Sequence, residues 1–269
     1  MLWASLATLV QYLGHVPPFL LVGLTLGIGS IPSLPRIGSW FARPAILLFG
    51  TLAFFGYHFF LFIAFRIAPA IEVNLVNYTW PVLIVLLSGV ILPGHRLRVS
   101  HVCGGFMAFT GATMAISGGR FSFSTDFLVG YLLALAAALT WSSYSVFTKK
   151  LAPFPTSMVG GFCFCSSILA LLCHALTEPQ VHLSRADWTG MLILGIGPMG
   201  IAFYSWDASL KKGDPRTIGA LSYLTPLLST FLLSVFGPRN TLSWTSVAAL
   251  ILIAGGAGIS SIRLSRKPF

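Results

Sequence analysis

Asn74, Asn77, Tyr78, Pro81, Val85 and Ser88 recur at helical spacing and fall on one stripe of the apolar run Ile71–Leu92, IEVNLVNYTWPVLIVLLSGVIL. Amides and a phenol give and take hydrogen bonds, so the stripe offers recognition rather than nucleophilic or acid–base chemistry. Two amides one turn apart in a membrane helix are costly unless paired. They either bond a neighbouring helix or line a cavity, and sharing a stripe with Tyr78 and Pro81 favours the cavity. Pro81 removes one helical hydrogen bond and opens the turn before it. A bilayer tolerates that only where the freed carbonyl faces protein or water.

The pattern recurs. At an offset of 145, Tyr78 meets Tyr223, Pro81 meets Pro226, Leu83 meets Leu228 and Pro93 meets Pro238, without gaps. A constant offset over such a stretch marks a duplicated unit. The second stripe holds Gly219, Ser222, Tyr223, Pro226 and Thr230, so Ser222 and Tyr223 join Asn74, Asn77 and Tyr78 as candidate substrate contacts. Small residues are also ordinary at membrane helix contacts.

Ring chemistry comes next. Tyr57, Tyr78, Trp80, Trp141 and Tyr223 lie several residues inside their spans. An amphipathic ring there needs a partner for its polar atom, and stacking on a substrate or packing between helices both supply one. Trp3 matches Trp141 at an offset of 138 and shares that reading. Trp40, Trp188 and Trp244 sit at span ends, where the interfacial aromatic belt accounts for them.

Coupling candidates are His58 and Asp207. His58 lies deep in a span and belongs to the residue type that titrates near neutrality, although a satisfied core imidazole is the simpler reading. Asp207 stands one turn before Lys211, which favours a structural ion pair. Glu72 opens its helix, where a carboxylate complements the positive end. No deep Asp/Glu pair of the kind used by proton-driven carriers is present. H-E-x-x-H, G-x-x-x-x-G-K-[ST] and G-x-S-x-G are all missing, so no enzyme is indicated. Cys103, Cys163, Cys165 and Cys173 lie in apolar runs at spacings that suit neither a disulfide nor a metal site. Neither a metal nor any other cofactor is expected.

The elements that must position these residues follow from composition. The chain is 56% hydrophobic and 8% charged, with a mean hydropathy of +0.87. Soluble domains keep roughly a quarter of their residues charged, so this is a polytopic membrane protein. The net charge of +10 is spread over short loops rather than a soluble face, which excludes a nucleic-acid surface. The expected partners are a small-molecule substrate and membrane lipid, with the chain acting as a monomer.

Apolar runs read as ten helices: Met1–Leu13, Pro18–Leu34, Ala45–Phe65, Ile71–Leu92, Val99–Ser117, Phe127–Thr148, Ser157–Leu176, Trp188–Leu210, Thr217–Phe236 and Ser243–Ile262. Most reach the ~20 residues that span a bilayer. Far more helix precedes Trp141 than precedes Trp3, so the sequence is expected to lack about a dozen residues of its first helix, and no signal peptide is read.

Orientation comes from basic residues. With the amino terminus inside, the inner loops and tail hold Arg36, Arg43, Arg96, Arg98, Lys149, Lys150, Lys211, Lys212, Arg216, Arg263, Arg266 and Lys267. Outer loops hold Arg66, Arg120, Arg185 and Arg239. Both termini are therefore expected in the cytoplasm. Five helices per repeat is an odd number, so the halves, 1–126 and 127–269, are antiparallel. The expected architecture is all-α and integral to the membrane: ten transmembrane helices in two inverted repeats around a central cavity, the plan of secondary transporters.

IEVNLVNYTWP, YLTPLLS and FYSWDASLKKGDPRTIGALS resemble the aromatic amino acid exporter (YddG-type) branch of the drug/metabolite transporter superfamily, the EamA-type ten-helix carriers. The resemblance covers essentially the whole chain. It implies export of aromatic amino acids and similar compounds across a bacterial inner membrane by alternating access. Trp206-Asp207 departs from the Trp-Asn expected of that branch. Another superfamily carrier is the alternative: a nucleotide-sugar transporter would call for deep basic residues, a cationic-drug transporter for a deep Glu, and neither appears. An integral membrane transferase would need clustered carboxylates or a metal site. Pro81 and Pro226, at matched places in opposed halves, are either alternating gates or static kinks that shape the cavity.

Overall fold

Proline sets the start of four of the eleven helices named below. Its fixed φ and missing N–H suit the first turn of a helix, where the donor would have no partner. It stands there in α1 (Pro18–Ser30), α2 (Pro44–Ile67), α4 (Trp80–Ile91) and α10 (Pro215–Ser222). The other helices are α3 (Ala70–Asn77), α5 (Val99–Ser117), α6 (Leu128–Lys150), α7 (Met158–Thr177), α8 (Arg185–Ile196), α9 (Ala202–Lys212) and α11 (Trp244–Ser261). This computed structural model describes residues 2–5, 9, 10, 12–94, 97–151, 153–226, 228 and 244–261, and among them no strand occurs.

Seven helical stretches among the described residues are long and apolar enough to cross a membrane: Pro18–Ser39, Pro44–Ile67, Ala70–Ile91, Val99–Ser117, Thr125–Lys150, Met158–Thr177 and Arg185–Lys212. Residues 1, 6–8 and 11 of the expected first helix, Met1–Leu13, and residues 227 and 229–236 of the expected ninth, Thr217–Phe236, fall outside the described residues. So do Thr230, Pro238, Arg96, Arg239 and the three basic residues of the tail. The chain is a multi-pass membrane protein. Large side chains such as Leu48, Leu132, Leu176 and Ile251 stay exposed, as expected of helices bathed by lipid rather than water.

Three expected helices are interrupted rather than continuous. Ile71–Leu92 divides into α3 and α4 around Tyr78 and Thr79. Pro81 has no N–H to return to the Asn77 carbonyl, so the chain tightens: Thr79 N–H bonds Val76 O at 3.1 Å and Leu83 N–H bonds Thr79 O at 3.0 Å. A turn also interrupts the chain at Tyr223, ahead of Pro226, where α10 ends and Tyr223 N–H bonds Ala220 O at 3.3 Å. Trp188–Leu210 divides as well. A wide turn over Gly197–Ile201, with Pro198 at its start, separates α8 from α9.

Helices before residue 117 pack on helices after residue 128. α1 lies against α7 and α8, α2 against α6 and α7, α4 against α6 and α10, and α5 against α11. The last pair approaches through glycine: a Cβ on Gly104 would lie 2.5 Å from the Gly256 carbonyl, and one on Gly256 2.5 Å from that of Gly104. Small residues at such contacts let backbones close in.

One buried carboxylate ties three helix ends together. Glu178 accepts from the Phe19 and Leu20 amides of the first turn of α1, at 3.1 and 3.2 Å. It also pairs with Arg66 of α2 and bonds His174 Nδ1 of α7 at 3.0 Å. The sequence pointed to none of this. Trp40 is a correction too. It is not an interfacial residue but is 1% exposed, with Nε1 donating to Ser33 Oγ at 2.9 Å. Gly161 leaves the room for its side chain. Trp188 and Trp244 are exposed, as a belt position requires.

Candidate substrate cavity

A cavity of about 520 Å³ opens between the helices. The breaks described above supply much of its wall. Asn74, Asn77 and Tyr78 come from the end of α3 and the turn after it, Trp80 from the start of α4, Thr225 and Pro226 from beyond the Tyr223 turn, and Met199 from the wide turn. α2 contributes Tyr57, His58, Leu61, Phe62 and Phe65, and α1 contributes Leu21, Val22 and Thr25. Trp3, Val10, Ala115, Ile116, Trp141, Leu194 and Phe203 complete the described lining. It contains no Asp, Glu, Lys or Arg.

Rings form one end of the cavity. Trp3 lies edge-on to Trp141 at 5.9 Å and to Trp80 at 6.4 Å, and Trp141 is 5.5 Å from both Phe203 and Tyr57. These centroid distances are in the attractive range for aromatic pairs. Trp3 is held by its indole: Nε1 donates to Pro198 O at 2.9 Å. That carbonyl is available because Ala202 N–H reaches Gly197 O and Gly200 O instead. Behind the rings, Trp206 stacks on Trp141 at 6.2 Å and donates through Nε1 to Ser145 Oγ at 3.1 Å.

The polar wall is the α2–α3 side. Asn77 Nδ2 donates to the Tyr57 hydroxyl at 3.4 Å, while Asn77 Oδ1 is buried with no partner among the described residues. Leaving such an acceptor unpaired costs free energy that a ligand donor recovers on binding.

Of the residues singled out in the sequence, the fold gathers Trp3, Tyr57, His58, Asn74, Asn77, Tyr78, Trp80, Trp141 and Pro226 on this lining. Ser222, Tyr223, Pro81 and Asp207 are not part of the described lining. Ser222 Oγ bonds back to Ile218 O at 2.7 Å, and Tyr223 is fully buried, its hydroxyl donating to Tyr78 O at 3.2 Å. The small face of α10 presses on α4 instead, where a Cβ on Gly219 would lie 3.0 Å from Pro81 O. Asp207 is fully buried and pairs with Lys211 Nζ at 2.5 Å, the ion pair its spacing implied. Thr25, Leu194, Met199 and Phe203 line the cavity without any sequence signal, because they are ordinary apolar-run residues until the helices are placed.

Comparison with known proteins decides the family. The EamA-like transporter family matches residues 1–117 and 128–262. This chain belongs to that family. The aromatic amino acid exporter YddG of Ancylobacter novellus is 42% identical over 99% of this chain and 95% of its own length. The exporter of the same name from Escherichia coli (strain K12) is 24% identical over 88% of this chain and 81% of its own. A solved crystal structure superposes with a TM-score of 0.92 at 42% identity, over 97% of this chain and 92% of that one. As an EamA-like protein the chain is a transporter, not an enzyme.

Proposed function

We propose that this EamA-like protein exports aromatic and other bulky neutral amino acids from the cytoplasm by alternating access. The carrying observation is a cavity of about 520 Å³ walled by Trp3, Trp80, Trp141 and Phe203, with no charged side chain in its described lining. Such walls suit a ring-bearing solute that is net neutral. They suit neither a nucleotide sugar nor a cationic drug, each of which needs a fixed counter-charge. The relatives named aromatic amino acid exporters support the same substrate class.

In this reading the chain sits in a bacterial inner membrane as a monomer surrounded by lipid. Its ten helices form two inverted repeats, 1–126 and 127–269, and the excess of basic residues in inner loops keeps both termini in the cytoplasm. In this orientation Leu21, Phe65, Asn74 and Ile116 of the lining lie toward the outer ends of their helices. Trp80 and Trp141 stack the substrate ring, while Asn74, Asn77 and Tyr78 face its polar end.

Overproduction in a bacterium tests the proposal. Cells should tolerate a toxic fluorinated phenylalanine better than controls, and Trp80→Ala should remove the advantage. Unchanged tolerance with correctly inserted protein would refute it.

A further inference from the structure

His58 is 6% exposed and lines the cavity, where it is the one imidazole in the described wall. Its Nδ1 bonds the Phe54 carbonyl at 2.7 Å. A carbonyl only accepts, so Nδ1 carries the hydrogen, and in the neutral ring the lone pair belongs to Nε2. No protein hydrogen bond reaches Nε2 among the described residues. Rings fix the orientation of the imidazole: Tyr57 edge-on at 5.1 Å, Phe62 roughly parallel at 6.3 Å and Phe203 edge-on at 6.3 Å. Because Nδ1 is tied back to its own helix, the distal edge that carries Nε2 is the edge left for the cavity.

An acceptor that meets an apolar wall without a donor is unfavourable, which makes a bare imidazole nitrogen an unusual packing group. The described lining meanwhile contains no carboxylate with which to neutralise a cationic group. A zwitterion entering it must place its ammonium against neutral acceptors. On the neighbouring helix α3, Asn77 is 4% exposed and its Oδ1 is also without a partner among the described residues. The two groups are linked through Tyr57, which touches His58 by its ring and Asn77 by its hydroxyl.

We infer that His58 is the specificity residue for the substrate's α-ammonium group: Nε2 accepts an N–H from the amino acid, with Asn77 supplying a second polar contact. This deepens the export reading and rests on it. The ring-stacking floor then selects the side chain, and the α2–α3 wall selects the amino-acid head. No bond is made or broken.

Equilibrium competition against labelled phenylalanine, on purified full-length protein in detergent, tests the assignment. Two competitors are used: 3-phenylpropionate, which lacks the ammonium, and trimethylated phenylalanine, which keeps the charge but has no N–H. Wild-type protein should bind each roughly tenfold or more weakly than phenylalanine, the loss expected for one charge-assisted hydrogen bond. In His58→Phe the preference for phenylalanine over 3-phenylpropionate should collapse to within about twofold, whereas His58→Gln, which retains an acceptor, should keep much of it. Undiminished preference in His58→Phe overturns the assignment while leaving the export reading intact. So does wild-type protein that binds the trimethylated compound as tightly as phenylalanine, a measurement that needs no variant to fold. Wild-type protein that binds none of the three overturns both.

Discussion

Replacing Trp141 with alanine should damage stability and substrate affinity together, in unequal measure. The indole is 3% exposed and lies 5.3 Å from Tyr144, 5.5 Å from Tyr57 and Phe203, 5.6 Å from Phe54 and 5.9 Å from Trp3. Truncating a buried tryptophan costs about 3–5 kcal/mol. Protein covers nearly all of this ring, so most of that loss should appear as a lower thermal midpoint in detergent. In the proposed site the substrate would meet only the part facing the cavity, and a lost ring contact of ~0.5–1.5 kcal/mol corresponds to a roughly two- to tenfold weaker dissociation constant. Trp80 is the internal control. Its described ring neighbours are Trp3 at 6.4 Å and Trp206 at 5.5 Å, so Trp80→Ala should weaken binding comparably with a smaller fall in midpoint. Thermal unfolding of both variants, followed by binding of labelled phenylalanine, separates the two effects. Wild-type midpoint and affinity in Trp141→Ala would refute the assignment of this ring to the cavity floor.

Pro81→Ala and Pro226→Ala should slow transport while leaving equilibrium binding nearly intact, since each proline follows a break in its helix. Equal loss of both in vesicle and binding assays would make them static kinks. Glu178→Gln removes the buried charge shared by Arg66, His174 and the start of α1, which should cost about 3–5 kcal/mol of stability while leaving ligand preference unchanged. A thermal midpoint equal to wild type would contradict that. Single cysteines placed beside Arg66, Arg120 or Arg185 in a cysteine-free background should react with an impermeant reagent applied outside intact cells. Reaction beside Lys149 instead would overturn the orientation.

Periodicity and composition made the membrane class and the breaks ahead of Pro81 and Pro226 legible, because proline acts on its own turn and leaves a mark at a fixed spacing, whereas the break at Gly197–Ile201 falls in a run that reads as continuous helix. The stripe through Asn74, Asn77 and Tyr78 was legible for the same reason: its members share one helix face. What the sequence could not supply was the neighbour of each face. Ser222 and Tyr223 repeat the pattern of Asn77 and Tyr78, yet their face meets α4 rather than the cavity, and no local rule distinguishes the two. Phe203 and Thr25 were hidden for the converse reason, being unremarkable until packing turns them inward. Glu178 was invisible as a hub because, apart from His174 one turn back, its partners Arg66 and Phe19 lie 112 and 159 residues away.

The most direct test of the central claim is transport by the purified chain. Reconstituted in sealed vesicles loaded with unlabelled phenylalanine, it should drive rapid entry of labelled phenylalanine or tryptophan by exchange. Arginine and glutamate should neither enter nor compete. Equal movement of charged amino acids, or no aromatic exchange above protein-free vesicles, would contradict an uncharged, ring-selecting cavity.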